Sequence, residues 1–247
     1  KTGAAAMIKY KHIALWMLGI IAVLVITGFG KGFEKSIPWK GNLVEFKAHP
    51  NQPFITEAEV LSLVENHYPI LDSLPIREIN TALLEESLDN HPSIQKAEVY
   101  STLKGYLRID VWQHRPLAGI NNPGSSYYLL NEGATMPLSP NSSARVPLLT
   151  GAITDSTRQP LSNFWKKIEA DSFYHDFFSG LHVAENGEWI LFPRPGHHRV
   201  VLGKPENWEK KLKRLKIFYE TTVNETNLDS IKVINLKFNN QVICRKK

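Results

Sequence analysis

The longest apolar run of the chain extends from Ile13 to Phe29 (IALWMLGIIAVLVITGF) without a charged side chain. At about 1.5 Å of helical rise per residue it is long enough to cross most of a bilayer's hydrocarbon core, so residues 13–30 are read as one N-terminal transmembrane helix. Lys9 and Lys11 stand before the run and Lys31, Glu34 and Lys35 after it, so flanking charge orients it only weakly. The unequal flanks decide: residues 1–12 are expected to be the remainder of a cytoplasmic tail, and the far longer C-terminal part the domains on the other side. A cleaved signal peptide is the competing reading. Against it, the apolar core exceeds a usual h-region, and Gly28-Phe29-Gly30-Lys31-Gly32-Phe33 offers no A-x-A-like cleavage site.

After the anchor the pattern reads β-α-α-β-β. Leu43 to Phe46 is a short strand, and Thr56-Glu57-Ala58-Glu59 has the form of a capping box, which predicts a helix carrying Val60, Leu61 and Val64 and ending at Tyr68-Pro69. Ile79, Leu83, Leu84 and Leu88 fall at helical spacing, and Asn90-His91-Pro92 stops that second helix. The period then changes to two. Ala97 and Val99, a turn at Lys104-Gly105, and Leu107, Ile109 and Val111 predict a hairpin. This order resembles a POTRA domain, here residues 41–116.

The segment after Arg115-Pro116, residues 117–247, is mostly β by its own signals. Strands are expected at Tyr127–Leu130, Met136–Leu138 and Val146–Leu149, the first two around a turn at Asn131-Glu132-Gly133. Leu161, Phe164, Trp165, Ile168 and Phe173 fit an amphipathic helix ending near Ser179-Gly180. Asn186-Gly187 then marks a hairpin between Leu181/Val183 and Trp189/Leu191/Phe192. Trp208, Leu212, Leu215 and Tyr219 step along one face of a helix whose other face carries Lys210, Lys211, Lys213, Arg214 and Lys216. Strands Ile231–Phe238 and Gln241–Arg245, joined at Asn239-Asn240, come last. The fold class expected is α+β: a transmembrane helix, a POTRA-like domain, then a mixed α/β domain on a largely antiparallel sheet.

Charge changes this picture little. The net charge is +5, and residues 1–40 hold Lys1, Lys9, Lys11, Lys31, Lys35 and Lys40 against Glu34, so the remainder is neutral and no nucleic-acid partner is expected. The single cysteine, Cys244, cannot close an intramolecular disulfide, and the domains must be held by their cores. Signs of catalysis are weak. There is no G-x-S-x-G elbow, no H-E-x-x-H and no glycine-rich phosphate loop, and a lone thiol in a predicted strand reads as a packed side chain. His197 and His198, adjacent on an expected strand, would point to opposite faces; Asp171 and His175, spaced i,i+4 on the expected helix, suit a surface hydrogen bond better than a metal. No catalytic residue, cofactor or metal is therefore expected. The basic face of the helix over 205–219 reads as a solvated surface, with an acidic partner segment or anionic headgroups as its functional alternatives.

Several phrases, in order behind one anchor, resemble the cell-division protein family FtsQ/DivIB: FITEAEV, HPSIQKAEVYSTLKGYLRIDVWQHRPLA, YYLLNEGATMPLSP, VPLLTG, VVLGKPENWEKKLKRLKIFY and VINLKFNNQVICRKK. The family's hairpin often carries Trp-Pro where this chain has Thr102-Leu103, which leaves the shape of that turn open. The resemblance implies a non-catalytic, single-pass scaffold of the division machinery in the cytoplasmic membrane at the septum, with its main domains extracytoplasmic. It implies FtsB- and FtsL-like single-pass partners bound by strand addition at the last sheet edge, and other division proteins contacting the POTRA-like domain. Carried onto INLKFNNQV, it implies Lys237 as a steering charge, Phe238 as an apolar anchor, and the backbone from Asn240 through Gln241 and Val242 to Cys244 as the ladder. Two other readings remain, a POTRA module handling outer-membrane or secreted polypeptides and a cell-wall hydrolase; the first requires a following membrane β-barrel, the second convergent polar groups in one pocket.

Overall fold

The computed structural model describes residues 16–25, 37–47, 53–71, 74–222 and 228–247. Residues 16–25 form helix α1, exposed along its length. The transmembrane reading of 13–30 lies partly outside the described residues, among which no helix is long and apolar enough to cross a membrane. The other described residues divide into two compact units. One runs to Trp112; the other comprises Gln113 onward with Phe54 and its neighbours.

The first unit is built from β1 (Gly41–Phe46), α2 (Glu57–His67), α3 (Thr81–Asp89), β2 (Ile94–Ser101) and β3 (Tyr106–Gln113). Its sheet has the order β1-β3-β2, with β1 parallel to β3. Thr56 caps α2 as expected: its hydroxyl accepts from the Glu59 amide and the Glu59 carboxylate accepts from the Thr56 amide, the reciprocal arrangement that satisfies two otherwise unpaired helix-end donors. The second helix starts later than expected. Ile79 ends a short 3-10 turn, and the side chain of Asn80 accepts from the Leu83 amide as the cap, so Leu83 faces outward while Leu84 and Leu88 are buried. The core joins Val60, Val64, Leu84 and Leu88 to Ala97, Val99, Leu107, Ile109 and Val111.

The hairpin turn carries its own chemistry in place of Trp-Pro. The Thr102 hydroxyl accepts from the Tyr106 amide at 3.0 Å, and Gly105, at φ +91°, lies so close to Pro38 that a Cβ there would sit 2.5 Å from its carbonyl oxygen. A side chain at 105 is excluded twice, by conformation and by space.

The second unit contains β4 (Ala118–Asn122), β5 (Ser125–Leu129), β6 (Thr135–Pro137), β7 (Leu148–Gly151), α4 (Asp155–Ala170), β8 (Phe178–Val183), β9 (Trp189–Pro193), β10 (Arg199–Gly203), α5 (Trp208–Thr222), β11 (Ile231–Asn235) and β12 (Ile243–Lys246). These strands form one nine-stranded sheet in the order β12-β11-β10-β9-β8-β7-β4-β5-β6. The β10–β11, β7–β8 and β4–β7 junctions are parallel and the other five antiparallel, a mixed and largely antiparallel sheet. Parallel neighbours need crossovers: α4 returns the chain from β7 to β8, and α5 from β10 to β11. Both helices contribute to the core over the sheet, Leu161, Phe164, Trp165 and Ile168 from α4 and Leu212, Leu215 and Tyr219 from α5. The Phe164 ring meets Trp165, Trp189 and Trp208 edge to face at 5.1–5.4 Å.

Several sequence expectations are corrected here. Strands β4 and β10 were not expected. The three strands expected at Tyr127–Leu130, Met136–Leu138 and Val146–Leu149 stand at Ser125–Leu129, Thr135–Pro137 and Leu148–Gly151. Helix α4 stops at Ala170 rather than near Ser179; just after it the Asp171 carboxylate reaches forward to accept from the Phe173 and Tyr174 amides and starts a separate turn. Asp171 and His175 therefore share no helix face, and His175 sits 3.1 Å from Asp176. His197 and His198 lie in the connection before β10 rather than on a strand, one exposed and the other buried. The strand expected over 231–238 ends at Asn235, whose side chain accepts from the Lys237 amide and bends the chain off the sheet. The strand expected over 241–245 is β12, Ile243–Lys246.

Candidate functional site

The residues singled out in the sequence gather at one end of the nine-stranded sheet. β12 pairs antiparallel with β11, Asn235 opposite Ile243 and Ile234 opposite Cys244, and it is the terminal strand of the sheet. All four of its residues are exposed. The Lys247 amide donates to the Ser230 carbonyl at 3.0 Å, which fixes the phase of the strand: alternation turns the amides of Ile243 and Arg245 toward β11 and those of Cys244 and Lys246 toward the open side. An edge of this kind offers a second chain a row of main-chain donors and acceptors.

The connection into β12 is held by α5. Arg214 donates to the carbonyls of Phe238 (2.8 Å) and Leu236 (3.2 Å), two charge-assisted bonds that stitch the segment after β11 to the helix. The chain then reverses at Asn240, whose φ of +59° an asparagine tolerates better than most residues. Lys237 leaves this segment sideways and pairs with Glu188 of the β8–β9 hairpin at 2.5 Å, a hydrogen bond that holds the Glu188 carboxyl below its ordinary range. Its aliphatic stem crosses Gly203, where a Cβ would stand 2.8 Å from Lys237 Cγ and where φ is +77°. Phe238 is half exposed.

Of the expected site residues, Lys237, Phe238, Asn240 and Gln241 share the connection before β12, and Cys244 lies on the strand. Val242 is a correction: it precedes the strand and packs against the main core instead of lying along a ladder. Asn240 and Gln241 likewise stand outside the strand, so a ladder here uses residues 243–246. Cys244 is exposed by area, yet partial burial of the sulfur pushes its thiol pKa up, away from the reactive thiolate. Arg214, Glu188, Ile243 and Lys246 complete the site and were not assigned to it from sequence; the alternation across Ile243-Cys244-Arg245-Lys246 is too short and too polar to mark a strand by itself.

Two models of known families match the chain. One, described as FtsQ/DivIB, C-terminal related, covers residues 115–245, more than half of the chain, and the other, described as POTRA-like domain, covers residues 41–112. The chain belongs to the FtsQ/DivIB family. A relative from Rhodothermus marinus, named cell division protein FtsQ, is 27% identical over 184 residues, a match spanning 68% of this chain and 66% of the relative. The match thus falls just short of two thirds of the relative's length. FtsQ/DivIB is a family of non-enzymatic cell-division proteins. Among the described residues no group of three or more His, Cys, Asp or Glu side chains could hold a metal ion. Buried His198 has a structural partner, the Tyr219 hydroxyl at 2.6 Å from Nε2, and burial lowers the imidazole pKa.

Proposed function

We propose that this protein is a bitopic scaffold of the division machinery, anchored in the cytoplasmic membrane through residues 13–30, with both folded units outside the cytoplasm at the septum. It works without catalysis, by adding a strand of an FtsB- or FtsL-like single-pass protein to the open side of β12. The observation that carries the reading is that β12 is paired on one side only, with the Cys244 and Lys246 amides directed outward. Lys237 steers and pairs with partner charge, Phe238 supplies apolar area, and Asn240, Gln241 and Val242 set the approach to the strand. Membership in FtsQ/DivIB supports the division role.

The test uses intact protein in mild detergent as bait, beside a Cys244→Pro variant. Proline removes an outward amide and leaves the bonds to β11 in place, so the fold is retained. Wild-type protein is expected to retain small single-pass coiled-coil proteins, and the variant, with an unchanged circular dichroism spectrum, to lose them. Equal retention by both would move the partner site away from β12.

A further inference from the structure

Helices α4 and α5 lie over one face of the nine-stranded sheet. Leu149, Leu181, Leu191, Val200 and Ile234 turn into the core on that side, so alternation sends their neighbours to the other face. Strand register lines those neighbours up across the sheet. One row, read from β7 to β12, is Leu148, Gly180, Phe192, Arg199, Val233 and Arg245; Ile190, Val201 and Ile243 belong to the next. At its β5–β6 end the face is covered, Tyr128 and Met136 packing with Ala144 and Val146 of the β6–β7 connection. From β7 onward it is open: Leu148 is 49% exposed, Phe192 39% and Ile243 41%. Six strands about 4.8 Å apart make the open part about 24 Å wide. Leu148 stands proud of it because its partners on either side are Gly119 and Gly180, and a Cβ at 180 would meet the Leu148 carbonyl oxygen at 2.2 Å.

The charge of this face is one-sided. Strands β7 to β12 contain no Asp or Glu, while Arg199, Lys232 and Arg245 are exposed on them and form no ion pair among the described residues. The exposed face of the first unit's sheet is finished differently. Lys47 and Arg108 are each shared there between Glu45 and Asp110, and Lys96 pairs with Glu98 at 2.6 Å while lying over the Trp112 ring. One sheet face is neutralised from within; the other keeps unmatched cations beside bulky apolar groups.

We propose that the open face of the large sheet docks on the surface of an anionic lipid bilayer. A broad face fits a broad partner. Strands β7 to β11 are paired on both sides, so contact here is made by side chains and not by main chain. An arginine fork can hold two phosphate oxygens while its stem lies along apolar surface, and Leu148, Phe192 and Ile243 can enter the headgroup layer between the phosphates. Apolar and cationic groups alternate along the row, Phe192 opposite Arg199 and Val233 opposite Arg245, instead of separating into the apolar centre and polar rim that suit a protein partner. The anchor proposed at residues 13–30 would hold the face at high local concentration beside the membrane. That setting rests on the anchor; the composition of the face does not.

The test reconstitutes the full chain in vesicles of phosphatidylglycerol or of neutral phosphatidylcholine that carry doxyl-labelled lipid, and reads quenching of bimane on a single cysteine. Cys244→Ser removes the native thiol. Phe192→Cys then puts the dye on the open face, and Lys166→Cys puts it on the exposed side of α4, across the sheet. In phosphatidylglycerol, quenching at 192 should exceed that at 166 several-fold. Arg199→Gln with Arg245→Gln should weaken docking about thirtyfold, the effect of two cations at an anionic surface, and bring the two probes level. Equal quenching at the two positions, or quenching at 192 that ignores lipid charge or the arginine substitutions, would overturn the proposal. So would the absence of quenching at 192 in both lipids, which would leave the face to an acidic protein. Flotation separates docking from anchoring. A chain that does not float with phosphatidylcholine vesicles counts against the anchor, and flotation with phosphatidylglycerol vesicles that the arginine substitutions abolish would still support the docking face.

Discussion

Each unit has a sheet edge beside a helix, and the two edges are finished in opposite ways. In the first unit, α3 runs along β2, and its side chains take the place of a neighbouring strand: Asp89 accepts from the Ala97 amide at 2.6 Å and Glu85 from the Val99 amide at 2.7 Å. The geometry matches because one helical step of four residues advances about 6 Å, close to the roughly 6.6 Å between alternate strand residues. In the second unit, α5 reaches the end of the sheet through Arg214, but its guanidinium grips the carbonyls of the β11–β12 connection and leaves the outer amides of β12 untouched. Acceptors laid on an edge close it to a second chain; a donor laid on the approach to an edge fixes it in place and leaves it open. The remaining edge of the large sheet, β6, is three residues long and ends in Pro137, another way of discouraging pairing.

The contrast can be broken most severely at β2. Replacing Glu85 and Asp89 together by Ala strips two charge-assisted bonds and should cost about 2–4 kcal/mol, read by urea unfolding, and the uncovered edge should self-associate in sedimentation experiments. A variant that stays monomeric at wild-type stability would show that the carboxylates do not guard the edge. Arg214→Met removes both bonds that hold the connection into β12 and should cost about 2 kcal/mol; hydrogen exchange should rise first at residues 236–240. Cys244→Pro should hardly change stability but weaken partner binding about tenfold, close to 1.4 kcal/mol, and the same exchange at an inward-facing position, Arg245→Pro, should also unfold the edge. The smallest effect concerns pH. Burial depresses the His198 pKa below 6.5, so the unfolded chain protonates first; stability of the second unit is greatest above that value and declines as pH falls through the depressed folded one. His198→Gln should flatten this slope in thermal melts between pH 7 and 5.

What the chain's pattern made legible follows the same division between local and distant causes. The Thr56 capping box, the Asn186-Gly187 hairpin and the apolar stripe of α5 depend on residues a few positions apart, and each is present. β4 escaped notice because AGINN has neither alternation nor bulk; it is a strand because β5 and β7 flank it. The separate turn after α4 depended on the Asp171 carboxylate, and the end of β11 on the Asn235 side chain, neither of which a period reveals. The site residues came from family resemblance, which points to the connection before β12; of the stretch expected as a ladder, residues 240–242 stand outside the strand. Nothing local marks Glu85 and Asp89 for this role, since their targets lie 14 and 8 positions away on a strand edge.

The crossover from β10 through α5 to β11 has a consequence for timing. β12 acquires its shape only from β11, and β11 finds its parallel place beside β10 only after α5 has packed across the sheet. No earlier portion of the chain can present this edge alone. A partner that requires β12 would therefore ignore half-made protein, and recruitment would begin with molecules whose second unit has finished folding.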